Sequence, residues 1–112
     1  MKRYRVRTAC LGMVATLTLA GFMANAAAAT IKIRISDLAF DPAMVAARPG
    51  DIIEWQNDDF IDHTATERGG LWDVALPAGK TTRLTLAQKG TMAYFCKFHP
   101  QMTGTVRVDT GP

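Results

Sequence analysis

Residues 30–36, Thr-Ile-Lys-Ile-Arg-Ile-Ser, alternate without a break: Ile31, Ile33 and Ile35 fall on one face, Lys32, Arg34 and Ser36 on the other. A period of two marks a half-buried strand, because on a helix it would scatter the isoleucines around the whole circumference. The period returns along the chain. Ile53 and Trp55 alternate with Glu54 and Gln56, Val45 and Ala47 form a shorter pair, and Leu84 and Leu86 share one face of residues 81–86. Turn signals separate these runs at Asp41-Pro42, Pro49-Gly50, Gly69-Gly70, Pro77-Ala78-Gly79 and residues 87–90. In Arg48-Pro49-Gly50-Asp51 the proline presets φ and the glycine accepts a positive φ, which suits the two central positions of a type II turn. Residues 63–66, 92–95 and 105–108 are also strand-like, residues 72–76 read as irregular, and no stretch keeps a helical period. Six to eight short strands at this spacing predict an all-β fold, a β-sandwich.

The start of the chain breaks this pattern. Lys2, Arg3, Arg5 and Arg7 are followed by an uncharged Ala/Leu/Val-rich stretch, residues 8–24, and then by a crowd of small residues at Ala24 and Ala26 to Ala29. Basic head, apolar middle and small-residue cleavage site make a secretory signal. The stretch is only weakly apolar, which favours cleavage over a retained membrane anchor. The expected organisation is a signal peptide at residues 1–29 and one domain at residues 30–112, exported to the periplasm, free of the membrane and monomeric. Removing the four signal bases from thirteen leaves nine Lys and Arg against ten acids, a net charge of −1. The mature chain therefore gives no electrostatic reason to bind nucleic acid.

Cys10 leaves with the signal, so Cys96 is the lone cysteine of about 83 residues. Exported cysteines normally pair, so a lone one calls for a metal, a reactive role, a partner chain or burial. A domain this small is marginal without a disulfide, and a bound metal would stabilise it. The segment Cys96-Lys97-Phe98-His99-Pro100-Gln101-Met102 sets a thiolate, an imidazole and a thioether three residues apart, with Pro100 and Gly104 arguing against a helix interior. His63 is the one other histidine, so it supplies the remote donor by elimination. Singly, each of these residues would read as structural; their joint spacing makes them a metal set. Two imidazoles, a thiolate and a weak axial thioether form the blue-copper electron-transfer arrangement, one copper held by His63, Cys96, His99 and Met102. No catalytic residues are expected.

These residues resemble the cupredoxin family. The likeness runs over residues 40–108 and rests on Phe40-Asp41-Pro42, Pro49-Gly50-Asp51, Trp55-x-Asn57, the His63 segment, Gly90-x-x-x-Tyr94-x-Cys96 and His99-Pro100-x-Met102-x-Gly104. The Cys-x-x-His-x-x-Met loop is most similar to amicyanin among the plastocyanin-like members. The resemblance implies an eight-stranded Greek-key sandwich, type 1 copper, and one-electron shuttling between redox protein partners, with the electron leaving through His99. Thr64 stands where many members have Asn, and Asp62 where many have Pro or another apolar residue.

Other residues have plainer readings. Trp55, Trp72, Met44 and Met92 are expected to pack, Asp58, Asp59 and Asp62 to form a solvated loop that could steer a basic partner, and Lys97 to be solvated. Phe98 and Pro100 would form an apolar rim around His99. The alternative function is periplasmic copper handling, as a carrier or resistance factor. A cysteine hydrolase ranks last, because no third orienting residue is evident.

Overall fold

The structure is a computed structural model and describes residues 12–17 and 27–110. The expected signal peptide therefore lies largely outside the described residues; residues 12–17 and 27–29 form neither helix nor strand. Among the described residues from 30 on there are nine strands: β1 Thr30–Ser36, β2 Ala39–Asp41, β3 Met44–Ala47, β4 Ile52–Asn57, β5 His63–Glu67, β6 Asp73–Leu76, β7 Thr81–Thr85, β8 Gly90–Phe95 and β9 Thr103–Val108. They make two sheets, ordered β2-β1-β4-β7 and β3-β9-β8-β5-β6. β1 runs parallel to β4, and β3 parallel to β9; the other pairs are antiparallel. The expected all-β sandwich is what forms.

The sequence period sets which faces meet. Ile33 lies opposite Trp55 and Ile35 opposite Asn57 in the β1–β4 ladder, so their inner side chains form one face of the core. Met92, Tyr94, Val106 and Val108 form the other face, from β8 and β9. Burial of each such aliphatic side chain contributes about 1.5–3 kcal/mol. At the centre the Trp55, Trp72 and Tyr94 rings meet with centroids 5.4–5.8 Å apart, and Phe40 meets Tyr94 edge-on at 4.7 Å. Gly104 lies opposite Tyr94 in the β8–β9 ladder, and a Cβ there would overlap the Tyr94 ring. The glycine is thus needed for close approach. The Pro49-Gly50 turn forms as expected: Gly50 has φ 93°, and Asp51 N–H donates to the Arg48 carbonyl at 3.0 Å.

Three details differ from the sequence reading. Residues 73–76 are a strand, because the edge of β5 offers Thr64, Ala65 and Thr66 as ladder partners. The apolar–polar contrast of Asp73-Val-Ala-Leu is too weak to reveal it. With the short β2 the strand count becomes nine, above the eight the resemblance implies. Met44 is exposed, while Met92 packs as expected.

Candidate metal centre

The sheet carrying β5, β8 and β9 brings the expected donors to one end of the sandwich. His63 opens β5, Cys96 follows the last residue of β8, and Met102 precedes the first residue of β9. The three-residue spacing of the loop has a local cause. His99 N–H donates to the Cys96 carbonyl at 3.2 Å, and Met102 N–H donates to the His99 carbonyl at 2.8 Å. Two successive i to i+3 turns follow one another, and side chains three apart return to the same side. Cys96 N–H then donates to the Met102 carbonyl at 3.0 Å and closes the loop.

The donor atoms converge. His63 Nδ1 lies 3.7 Å from Cys96 Sγ, and His99 Nδ1 lies 3.9 Å from it. The His63, Cys96 and His99 donors all lie within 4.8 Å of one another. His63 and Cys96 are buried, His99 is half-buried, and Met102 is buried at the end of the Cys96–Met102 loop. Two imidazole nitrogens and one thiol sulfur facing a common point suit copper in either oxidation state.

The chain matches the Cupredoxin-like domain family over residues 9–108. It belongs to the cupredoxins. A search of curated proteins found no match. Among solved structures, an oxidized amicyanin mutant aligns with a TM-score of 0.65 at 22% identity, covering 70% of this chain and 81% of that one. A Cu(I) amicyanin mutant aligns with a TM-score of 0.66 at 22% identity, covering 71% and 82%. A Cu-containing nitrite reductase from Thermus scotoductus SA-01 aligns with a TM-score of 0.65 at 23% identity, covering 74% of this chain but 23% of its own. At these identities the likeness is one of fold.

Around its donors this cupredoxin builds two polar braces. The first is Asp59, whose Oδ2 lies 2.8 Å from His63 Nε2. Asp59 also accepts from the backbone N–H groups of Asp37, at 2.8 Å, and Leu38, at 3.1 Å. Burial opposes its charge, but the bonds from His63, Leu38 and Asp37 outweigh that and hold its carboxyl below the ordinary range. Buried Asn57 fixes the same loop: its Nδ2 donates to the carbonyls of Ile61 and Leu76, and its Oδ1 accepts from Asp59 N–H.

The second brace is a closed ring. Lys97 N–H donates to Thr64 Oγ1 at 2.9 Å, Thr64 Oγ1 lies 2.9 Å from Thr66 Oγ1, Thr66 Oγ1 donates to Asp73 Oδ1 at 2.7 Å, and Lys97 Nζ donates to Asp73 Oδ2 at 2.8 Å. The Thr66 proton is committed to Asp73, so Thr64 must donate to Thr66. Thr64 N–H lies 3.4 Å from Cys96 Sγ, within reach of a hydrogen bond to the sulfur. The hydroxyl of Thr64 thus ties β5 to the ligand loop.

Asp58, Asp62 and Lys97 are exposed, as expected of solvated residues, and each also has a partner. Asp58 pairs with Arg34 and accepts from Gln56, and Asp62 accepts from Ala78 N–H. Asp59, Asp58 and Asp62 therefore hold the loop together, and Lys97 is paired with Asp73. Sequence gave one clue to Asp59: a carboxylate four residues before a histidine. Nothing in the sequence pointed to Asp73, because its strand was not recognised.

Proposed function

We propose that this cupredoxin is an exported one-electron carrier holding one type 1 copper at His63, Cys96, His99 and Met102. The observation that carries the reading is the convergence of both Nδ1 atoms on Cys96 Sγ, at 3.7 and 3.9 Å, within a self-closed loop. When bound, the copper supplies the Cu(I)/Cu(II) couple and the thiolate charge-transfer colour. The protein's part is to hold its donors still. His63 is fixed by Asp59, Cys96 is held through its own N–H and the N–H of Thr64, and the loop is closed by Met102. A braced donor set needs little rearrangement when charge changes, so an electron can enter and leave at low cost. Half-buried His99 faces the outside of the domain, beside exposed Phe98, and offers the shortest route for that electron.

In this reading residues 1–29 are a signal peptide and residues 30–112 the mature periplasmic monomer, whose partners are redox proteins. It is a carrier and not an enzyme. Among the described residues, one cluster of three His, Cys, Asp or Glu side chains has metal-site geometry, and the carrier reading uses all three as ligands. Copper handling would use the same donors, but it would require easy release of the ion. The test is a titration of the mature chain with Cu(II), followed by visible absorption, electron paramagnetic resonance and voltammetry. A blue band saturating at one equivalent, reversible voltammetry and slow metal loss are expected; Cys96→Ser should abolish the band. Copper bound without the band and lost readily would instead support copper handling.

A further inference from the structure

We propose that Asp59 is a positioning residue of the metal centre: it fixes the His63 ring with its proton on Nε2 and biases the bound copper towards the oxidised state. The second half of this rests on the copper reading above; the first does not. Two faces of the buried His63 ring are accounted for. Nδ1 faces Cys96 Sγ at 3.7 Å, and Nε2 faces Asp59 Oδ2 at 2.8 Å. A carboxylate only accepts, so Nε2 carries the proton and Nδ1 keeps its lone pair for the metal. A negative group bonded to the far side of a ligand imidazole raises its donor strength, and a stronger nitrogen donor favours Cu(II) over Cu(I).

The rest of the chain is arranged around that carboxylate. Residues 37 and 38 join β1 to β2 as a two-residue turn, since Ser36 pairs with Ala39. Both adopt the left-handed region, Asp37 at φ 52° and Leu38 at φ 60°. Glycine or asparagine usually fills such turns, and Leu there is unfavourable. The same conformation sends both N–H groups to Asp59, one to each oxygen. Asp59 thus receives three N–H donors, two from the remote β1–β2 turn and one from His63 four residues on. Asn could offer one oxygen, and its NH2 group would face another donor, so the geometry selects a carboxylate. Its side chain is 14% exposed, which limits screening of its charge by water.

The test uses the full chain, metal-free and as the diamagnetic Cu(I) form, with nitrogen-resolved NMR of His63. The wild type should carry the His63 proton on Nε2, and that proton should exchange with solvent at least about tenfold more slowly than in Asp59→Ala. With copper bound, Asp59→Ala and Asp59→Asn should lower the Cu(II):Cu(I) affinity ratio by about tenfold, a rise of about 59 mV in a one-electron potential. Urea denaturation shows which variants fold; if Asp59→Ala does not, the near-isosteric Asn variant is decisive. A purely structural role would weaken folding and leave the potential in place. A wild-type proton on Nδ1, or an unchanged potential in a folded variant, overturns the proposal. A wild type that takes no copper refutes the copper reading, while the metal-free spectra still decide the Asp59–His63 bond.

Discussion

His63 and His99 present the same atom to the same sulfur at nearly the same distance, 3.7 and 3.9 Å, yet they sit in opposite surroundings. His63 is 1% exposed, starts a strand and is bonded through Nε2 to a carboxylate. His99 is half-buried in a loop, and its Nε2 has no hydrogen-bond partner among the described residues. The two rings also touch edge-on, with centroids 5.3 Å apart. One histidine is built into the domain and the other stands at its rim. The centre is thus braced on the side that faces the core and open at the rim, as the proposed electron carrier would require.

The largest expected effect tests that asymmetry directly. His63→Ala should destabilise the metal-free protein by about 2–4 kcal/mol, because it leaves a buried cavity and removes a donor from Asp59. His99→Ala should cost about 1 kcal/mol or less, since half of the side chain already meets water. Urea denaturation of the two variants measures the difference. Equal losses would mean that burial and the Asp59 bond do not distinguish the halves.

Alkali should destabilise the fold through its buried phenol, which packs against Phe40, Trp55 and Trp72. Tyr94, two residues before Cys96, is pushed up to about 12 by burial, which outweighs the opposing bond from Trp55 Nε1. A raised value in the folded chain means that the unfolded chain loses its phenolic proton first. The Tyr94 contribution is therefore complete below pH 10 and lost as pH rises from 10 to about 12. Two units correspond to about 3 kcal/mol as an upper figure. Denaturation across that window should show the decline, and Tyr94→Phe should remove its steepest part.

The ring around Thr64 crosses between the halves. Thr64→Val keeps the shape but leaves Lys97 N–H without its acceptor, at a cost of about 1–2 kcal/mol, and Thr64→Ser should recover most of it. Because Thr64 N–H also faces Cys96 Sγ, the charge-transfer band of the copper form should shift with the first change and return with the second. A band that stays in place would show that the ring holds the loop without touching the sulfur.

Why these braces escaped the sequence reading is a matter of physics. The candidate donors were legible because their chemistry is rare; the structure brings those of His63, Cys96 and His99 together, and two successive turns set the spacing of the Cys96–Met102 loop. The strands at residues 30–36 and 52–57 were legible because each has one buried face. The residues that support the ligands are Asp, Thr and Lys, common surface types whose role appears only when remote segments meet. Asp59 bonds Asp37 and Leu38 across about twenty residues, and Lys97 bonds Asp73 across 24. No local period encodes such pairs. The strand β6, which carries Asp73, lies at the edge of its sheet and alternates only weakly, so its main signal is its partner, β5.

The smallest effect expected concerns the two exposed phenylalanines, one on each half. Phe98 lies in the ligand loop next to His99 and is 61% exposed; Phe60 lies in the loop before His63 and is fully exposed. Exposure alone would make Phe60 the better contact. The route to the metal argues for Phe98, because tunnelling falls off steeply with distance and His99 reaches the rim itself, whereas His63 is covered by Asp59. Electron self-exchange between oxidised and reduced copies, read from NMR line widths, tests this without any need to know the partner. When two copies meet rim to rim, Phe98→Glu places like charges at the contact and removes apolar area, so exchange should slow about five- to tenfold. Phe60→Glu should change it by about twofold or less, mainly through overall charge, and added salt should erase that part. Equal slowing by both would extend the contact across both halves, and slowing by Phe60→Glu alone would move the electron's exit to the His63 side.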